Sequence, residues 1–182
     1  MSNKGFVVWL TGLPASGKTT IARRVSEYLQ SRGFRVEILD GDEVRRWLSP
    51  EAGFSREDRE RHLRRVAYVS RLLARNGVAV LASFVSPYRN VREEARKIIE
   101  SESLKFIEVY VKCSLEECIR RDPKGLYGKA LKGEIKDMTG IQDPYEEPLN
   151  PEVTVDSENE KPDLCAEKII RKLRELDLIP EE

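Results

Sequence analysis

Phe6-Val7-Val8-Trp9-Leu10-Thr11-Gly12-Leu13-Pro14-Ala15-Ser16-Gly17-Lys18-Thr19-Thr20 decides the fold. The apolar run Phe6 to Leu10 reads as a buried strand. Gly12 to Thr19 after it fits G-x-x-x-x-G-K-[ST], and the residues that follow have helical spacing. Strand, glycine loop and helix in that order make a phosphate-binding loop, whereas an ordinary glycine turn with a surface lysine needs no such setting. Gly12 and Gly17 let the backbone curl with its N–H groups inward, and the helix start adds its positive end. Lys18 supplies a cation and the Thr19 hydroxyl a ligand for Mg²⁺. A nucleoside triphosphate is the expected ligand.

Outward from the loop, Ile21, Ala22, Val25 and Leu29 continue a helix to Gly33, and Val36 to Leu39 forms a second strand. A short helix is expected over Val44 to Leu48. A longer one, opened by the cap-and-acid signal Ser55-Arg56-Glu57-Asp58, runs to about Arg75. Val78 to Ala82 is the third strand. Ser86-Pro87 is expected to start the next helix, to about Glu102, with Ser86 as its cap. Phe106 to Val111 is the fourth strand, Leu115 to Arg121 a helix, Val153 to Val155 a fifth strand, and Asp163 to Leu176 the last helix.

This alternation predicts an α/β fold, a three-layer sandwich around a parallel sheet of about five strands, with ligands at the strands' carboxyl ends. Residues 122–148 break the pattern with little apolar periodicity, as a lid or binding loop does. The 182 residues read as a single domain.

Lys plus Arg and Asp plus Glu both number 32, so no global field draws nucleic acid or an anionic membrane. Three cysteines without a C-x-x-C pair suggest buried, reduced thiols in a cytoplasm. No apolar stretch is long enough to span a bilayer, and Met1-Ser2-Asn3-Lys4 shows no signal peptide.

Two classes of phosphate-loop protein compete, switch GTPases and small kinases. An N-K-x-D base-reading motif is lacking, since Asn159-Glu160-Lys161-Pro162-Asp163 does not fit. Asp122-Pro123-Lys124-Gly125 matches D-x-x-G but follows a helix, where it has no γ-phosphate to sense. The kinase reading prevails.

After the second strand comes Asp40-Gly41-Asp42-Glu43-Val44-Arg45. Two carboxylates separated by a glycine suit one group, Asp40, to order the metal and another, Asp42, to accept a hydroxyl proton. Asp42 also reads as an N-cap of the short helix, and the two roles are compatible. Arg45, one turn on, could grip an anionic acceptor.

With these residues the chain resembles the adenylylsulfate kinases over nearly its full length. The match is carried by Gly12 to Thr20, Leu39 to Arg45, Gly53-Phe54-Ser55, Asp58-Arg59, Arg64-Arg65 and Phe84 to Arg89. Most specific are the lid elements Asp122 to Tyr127, Gly133 to Lys136, Thr139-Gly140-Ile141 and Pro144 to Pro148. The resemblance implies transfer of the ATP γ-phosphoryl group to the ribose 3′-hydroxyl of adenosine 5′-phosphosulfate. It also implies a homodimer. The rival readings are a phosphate-loop kinase for another small acceptor and a nucleotide-binding module without catalysis.

The resemblance places Asp42 near the acceptor hydroxyl and Arg45 and Arg59 on the phosphosulfate, where guanidinium forks suit an oxyanion. By pattern alone Arg59 is a solvated arginine among many on its helix. Phe54 would stack on the acceptor's adenine, with Met138 on the opposite face where relatives carry a phenylalanine. His62, the single histidine, stands where relatives carry an acceptor-binding asparagine, and by pattern reads equally as a surface histidine. Val85, Ser86 and Lys124 are implied at the acceptor. Arg120 and Arg121 are implied over the ATP base, or serve as helix C-terminal cations. Ser86 matches a proposed phosphoserine, but a cap role accords better with direct in-line transfer.

Overall fold

In the computed structural model, which describes residues 4–181, a five-stranded parallel sheet has the order β2-β3-β1-β4-β5. Its strands are β1 (Phe6–Thr11), β2 (Val36–Asp40), β3 (Ala79–Ser83), β4 (Lys105–Lys112) and β5 (Val153–Asp156). The helices are α1 (Lys18–Ser31), α2 (Gly41–Leu48), α3 (Arg56–Arg75), α4 (Arg89–Glu100), α5 (Leu115–Arg121), α6 (Leu126–Leu131) and α7 (Pro162–Glu175). The stretch Met1–Asn3, read as lacking a signal peptide, lies outside the described residues.

The position of β1 between two covered faces explains why it is apolar from Phe6 to Leu10. Phe6, Val8 and Leu10 face a core built with Ile21, Val25 and Leu29 of α1 and Ile169 and Leu173 of α7. Val7 and Trp9 face a second core with Val66 and Ala67 of α3 and Val91 and Ala95 of α4. Because β1 is central, its carboxyl end delivers the glycine loop to the middle of the sheet's upper edge, beside β3 and β4. Ile107, in β4, is fully buried. Ile107→Ala is expected to lower the unfolding free energy by about 2–5 kcal/mol in urea titrations, by removing apolar contact and leaving a cavity.

Three expectations need correction. Helix α4 begins at Arg89 with Tyr88 as its cap residue, so Ser86 does not cap it. The reason lies in the backbone of 84–88, which crosses over β1. Thr11 Oγ1 donates to the Val85 carbonyl at 2.7 Å and Arg92 Nη1 to the Ser86 carbonyl at 2.6 Å, and Ser86 takes a left-handed φ of 40°. Those demands outrank an early helix start. Helix α2 begins at Gly41 with Asp40 as its cap residue, so Asp42 sits inside the first turn, where a carboxylate favours the helix dipole. Finally, 122–148 is not bare loop: it contains α6 and a small apolar cluster of Tyr127, Ala130 and Met138 with Cys113 and Cys118. Periodicity missed it because α6 has only 6 residues.

Among the described residues no helix is long and apolar enough to cross a membrane. All three cysteines are free and buried.

Candidate active site

The loop between β1 and α1 owes its course to two glycines. A Cβ on Gly12 would stand 2.6 Å from the Val111 carbonyl oxygen and 2.9 Å from Ser16 Oγ, so only glycine lets the loop pass this close to β4. Gly17 caps α1 with a left-handed φ of 93°. Neighbouring segments pin the loop from outside: Tyr127 Oη donates to the Pro14 carbonyl at 2.9 Å and Ser157 Oγ to the Ser16 carbonyl at 2.6 Å.

Lys18 is the first residue of α1, and its ammonium donates to the Gly12 and Leu13 carbonyls at 2.9 and 2.8 Å. Burial pulls its pKa down from the ordinary lysine value to about 8. A buried cation held by neutral carbonyls and the Ser16 hydroxyl is poised for an anion. Next to it, Thr19 Oγ1 donates to Asp40 Oδ2 at 2.7 Å and lies 3.3 Å from Ser83 Oγ. This set of hard oxygens fits Mg²⁺, which takes few protein ligands and completes its shell with phosphate and water.

Across one cavity of about 1450 Å³ stand Asp42, Arg45, Phe54, Arg59, His62, Val85, Ser86, Lys124 and Met138, facing Pro14, Ala15, Gly17, Lys18, Thr19 and Thr20. The volume exceeds the roughly 300–1,000 Å³ of a pocket for one small ligand, so two nucleotides fit. The sequence candidates from the acid strand-end, the α3 start and the lid thus converge on one space. Four candidates do not line it: Gly12 and Leu13, whose carbonyls hold Lys18 Nζ, together with Arg120 and Ser16. Arg120 turns outward to Glu117, at 2.6 Å, and does not line the cavity; Arg121 does, donating to Glu117 and to the Ser157 carbonyl. Ser16 is buried behind the loop, within 3.4 Å of Lys18 Nζ.

On the lid side, Lys124 Nζ pairs with the Asp42 carboxylate, both largely exposed. Arg45 lies over the Phe54 ring, 4.7 Å from its centroid, and bonds the Gly53 carbonyl. Burial, then the neighbouring Arg59, lower its pKa from the ordinary arginine value, as expected of cations gathered for an anionic ligand. Arg59 is no solvated helix arginine. Its fork donates to the Phe54 carbonyl at 2.9 Å, the Asp137 carbonyl and Thr139 Oγ1, and pairs with Asp143 at 3.5 Å. It therefore fastens the lid's far limb to α3. Met138, held by this limb, is buried in the lid cluster.

His62 is also not on the surface, being only 3% exposed, with its ring edge-on to Phe84. Burial first, then Arg45 and Arg65, lower its pKa to about 4. An unfolded chain takes up a proton near pH 6.5 that the native chain refuses until about pH 4. This residue's contribution is therefore complete above pH 6.5 and lost as pH falls toward 4. The gap sets an upper bound of about 3 kcal/mol. Unfolding free energies measured from pH 7 down to 4 should fall less steeply in His62→Asn than in the unaltered protein.

Sequence reasoning missed Arg92, Tyr88 and Asp143. Arg92 is 2% exposed and bonds Glu108 at 2.9 Å, the Ser86 carbonyl and the Glu146 carbonyl, so one guanidinium holds the acceptor-side loop and the end of the lid. Tyr88 Oη donates to Asp143 at 2.6 Å. No local pattern separates these side chains from the many other arginines and acids, because their partners are distant in sequence.

A family model described as adenylylsulphate kinase matches residues 4–156. The chain belongs to the adenylylsulphate kinase family. A probable adenylyl-sulfate kinase of Aeropyrum pernix is 62% identical over 156 residues, covering 86% of this chain and 85% of that one. A probable adenylyl-sulfate kinase of Pyrococcus abyssi is 52% identical over 177 residues, covering 97% and 99%. The solved structure of the Mycobacterium tuberculosis APS kinase CysC in complex with AMPPNP and APS superposes with a TM-score of 0.91. It is 41% identical and covers 94% of this chain and 98% of that chain. His62 and Met138, the two positions that the sequence reading set apart from the resemblance, are both buried against the cavity wall.

Proposed function

We propose that this protein is an adenylylsulfate kinase, transferring the γ-phosphoryl group of ATP to the ribose 3′-hydroxyl of adenosine 5′-phosphosulfate to yield 3′-phosphoadenosine 5′-phosphosulfate and ADP. The observation that carries the reading is the single cavity joining the phosphate loop to Asp42 and the arginine pair. Family membership narrows the acceptor from any small alcohol to this sulfated nucleotide.

Loop amides and Lys18 hold the β- and γ-phosphates of the donor. Thr19 and Asp40 would hold Mg²⁺, which when bound neutralises phosphate charge. Arg45 and Arg59 bring their positive charge to the phosphosulfate, and Phe54 packs on the adenine. Asp42 accepts the 3′-hydroxyl proton as the oxygen attacks phosphorus, or orients that hydroxyl. Before this Lys124 leaves Asp42 for the acceptor, so the carboxylate is freed when an acceptor is present. Closure of 122–148 keeps water from the γ-phosphate. A cytoplasmic setting accords with three buried free thiols. Dimerisation, as the resemblance implies, is read by light scattering on the same preparation.

The decisive measurement is ADP release with Mg²⁺ and ATP, with and without adenosine 5′-phosphosulfate. Acceptor-stimulated release with formation of the 3′-phosphorylated product supports the reading. Stimulation by a sugar or another nucleotide instead would reassign the acceptor, and no stimulation by any acceptor would leave a binding module.

Direct transfer is favoured over a phosphoserine step by the surroundings of Ser86. Its Oγ accepts from Trp9 Nε1 at 3.1 Å and donates to the Phe84 carbonyl at 3.3 Å, and the residue is 2% exposed. A hydroxyl already committed on both sides is a poor nucleophile. A pulse of γ-labelled ATP without acceptor should leave no stoichiometric label on Ser86.

A further inference from the structure

Ser157 stands in the turn after β5, where its N–H donates to the Lys112 carbonyl at 3.0 Å and its own carbonyl accepts from Arg121 Nη2 at 2.6 Å. Both of its main-chain groups are thus fastened, one to the end of β4 and one to the end of α5. Its Oγ lies 2.6 Å from the Ser16 carbonyl of the phosphate loop and 3.2 Å from that of Lys112. A serine hydroxyl has one hydrogen to donate, and the nearer carbonyl, that of Ser16, takes it. The Lys112 carbonyl is already served by the Ser157 N–H.

A trans peptide holds its C=O and N–H on opposite sides of one plane. The Ser16–Gly17 unit is trans, so turning the Ser16 carbonyl out to Ser157 turns the Gly17 N–H inward, to the hollow that Lys18 borders. Gly17 lines the cavity, and its N–H has no acceptor among the described residues. The loop does not hold this peptide by itself. Glycine rotates at little cost, and Ala15, before Ser16, has a left-handed φ of 63°, a region that non-glycine residues occupy only under restraint. We infer that Ser157 is a positioning residue for the phosphoryl donor: it keeps the Ser16–Gly17 peptide in the orientation that aims the Gly17 N–H at the donor's phosphates. This rests on the reading of the loop as the donor's phosphate cradle. Ser157 lies 141 positions from Ser16 along the chain, so no loop motif contains it.

Isothermal titration with inorganic tripolyphosphate and Mg²⁺ reads the cradle without a base or a sugar. Ser157→Ala is expected to weaken binding of tripolyphosphate and of ADP about tenfold each, the effect of misaiming one charge-assisted hydrogen bond. Ser157→Thr, which keeps the hydroxyl, should stay within about threefold of the unaltered protein. In steady-state assays Ser157→Ala should raise the KM for ATP about tenfold and leave the KM for adenosine 5′-phosphosulfate within about twofold. In nitrogen-15-labelled unaltered protein the Gly17 amide proton should move downfield on adding tripolyphosphate, and in Ser157→Ala it should move much less. Unchanged tripolyphosphate affinity in Ser157→Ala, a Ser157→Thr as weak as Ser157→Ala, or a Gly17 amide that ignores tripolyphosphate each overturns the inference. So does a loss confined to ADP, which would set Ser157 against the base instead. If Ser157→Ala does not fold, the Gly17 signal of the unaltered protein decides. Unaltered protein that binds neither tripolyphosphate nor ADP would sink the donor reading and this inference together, whereas tight binding indifferent to Ser157→Ala sinks this inference alone.

Discussion

Asp42→Ala is expected to cut turnover by about 10²–10⁴-fold while leaving ATP affinity within about twofold. The asymmetry follows from where the carboxylate stands. Asp42 lies in the first turn of α2, opposite the phosphate loop across the cavity, and its partner is Lys124 of the lid, not a loop residue. Removing it takes nothing from the donor's phosphates but leaves the 3′-hydroxyl proton without an acceptor in the transition state. Asp42→Asn tests the same point more sharply. The amide keeps the size and can orient a hydroxyl but cannot take its proton, so a variant with near-normal kcat would assign Asp42 an orienting role at most. Single-turnover rates and ATP titration, measured together, separate the outcomes.

Lys18→Ala is expected to lower kcat/KM for ATP by about 10²–10³-fold or more. Here both binding and rate suffer, because the ammonium is the one buried cation at the start of α1 and sits against the loop carbonyls that frame the phosphates. Lys18→Arg should not rescue it. The Nζ is enclosed by Gly12, Leu13 and Ser16, and a planar fork needs room that this loop does not offer. Isothermal titration with ATP and a steady-state assay distinguish a binding loss from a purely chemical one, and a fully active Lys18→Ala would overturn the role given to the loop.

The strands were legible because in a parallel sheet covered on both faces apolar runs such as Phe6–Leu10 have no other place to go. The phosphate loop was legible because two glycines and Lys-Thr occupy fixed offsets along a continuous stretch. What the sequence hid depends on contacts between distant residues. Nothing near Ser86 announces that Thr11 and Arg92 will claim the carbonyls of its segment and so delay α4 by two residues. The lid's apolar cluster was invisible for a related reason: Tyr127 and Met138 are separated along the chain and meet only because Cys113 and Cys118 lie beneath them. Residues that touch ligand were easier to find than residues that hold them, such as Arg92 and Asp143.

The bond from the Tyr127 hydroxyl to the Pro14 carbonyl gives the molecule a shared hinge pin. Because α6 and the donor's cradle are buckled together at that point, swinging the cover aside must tug on the peptide that clasps the spent nucleotide. The position of the cover and the shape of the phosphate cradle are thereby tied through a single bond.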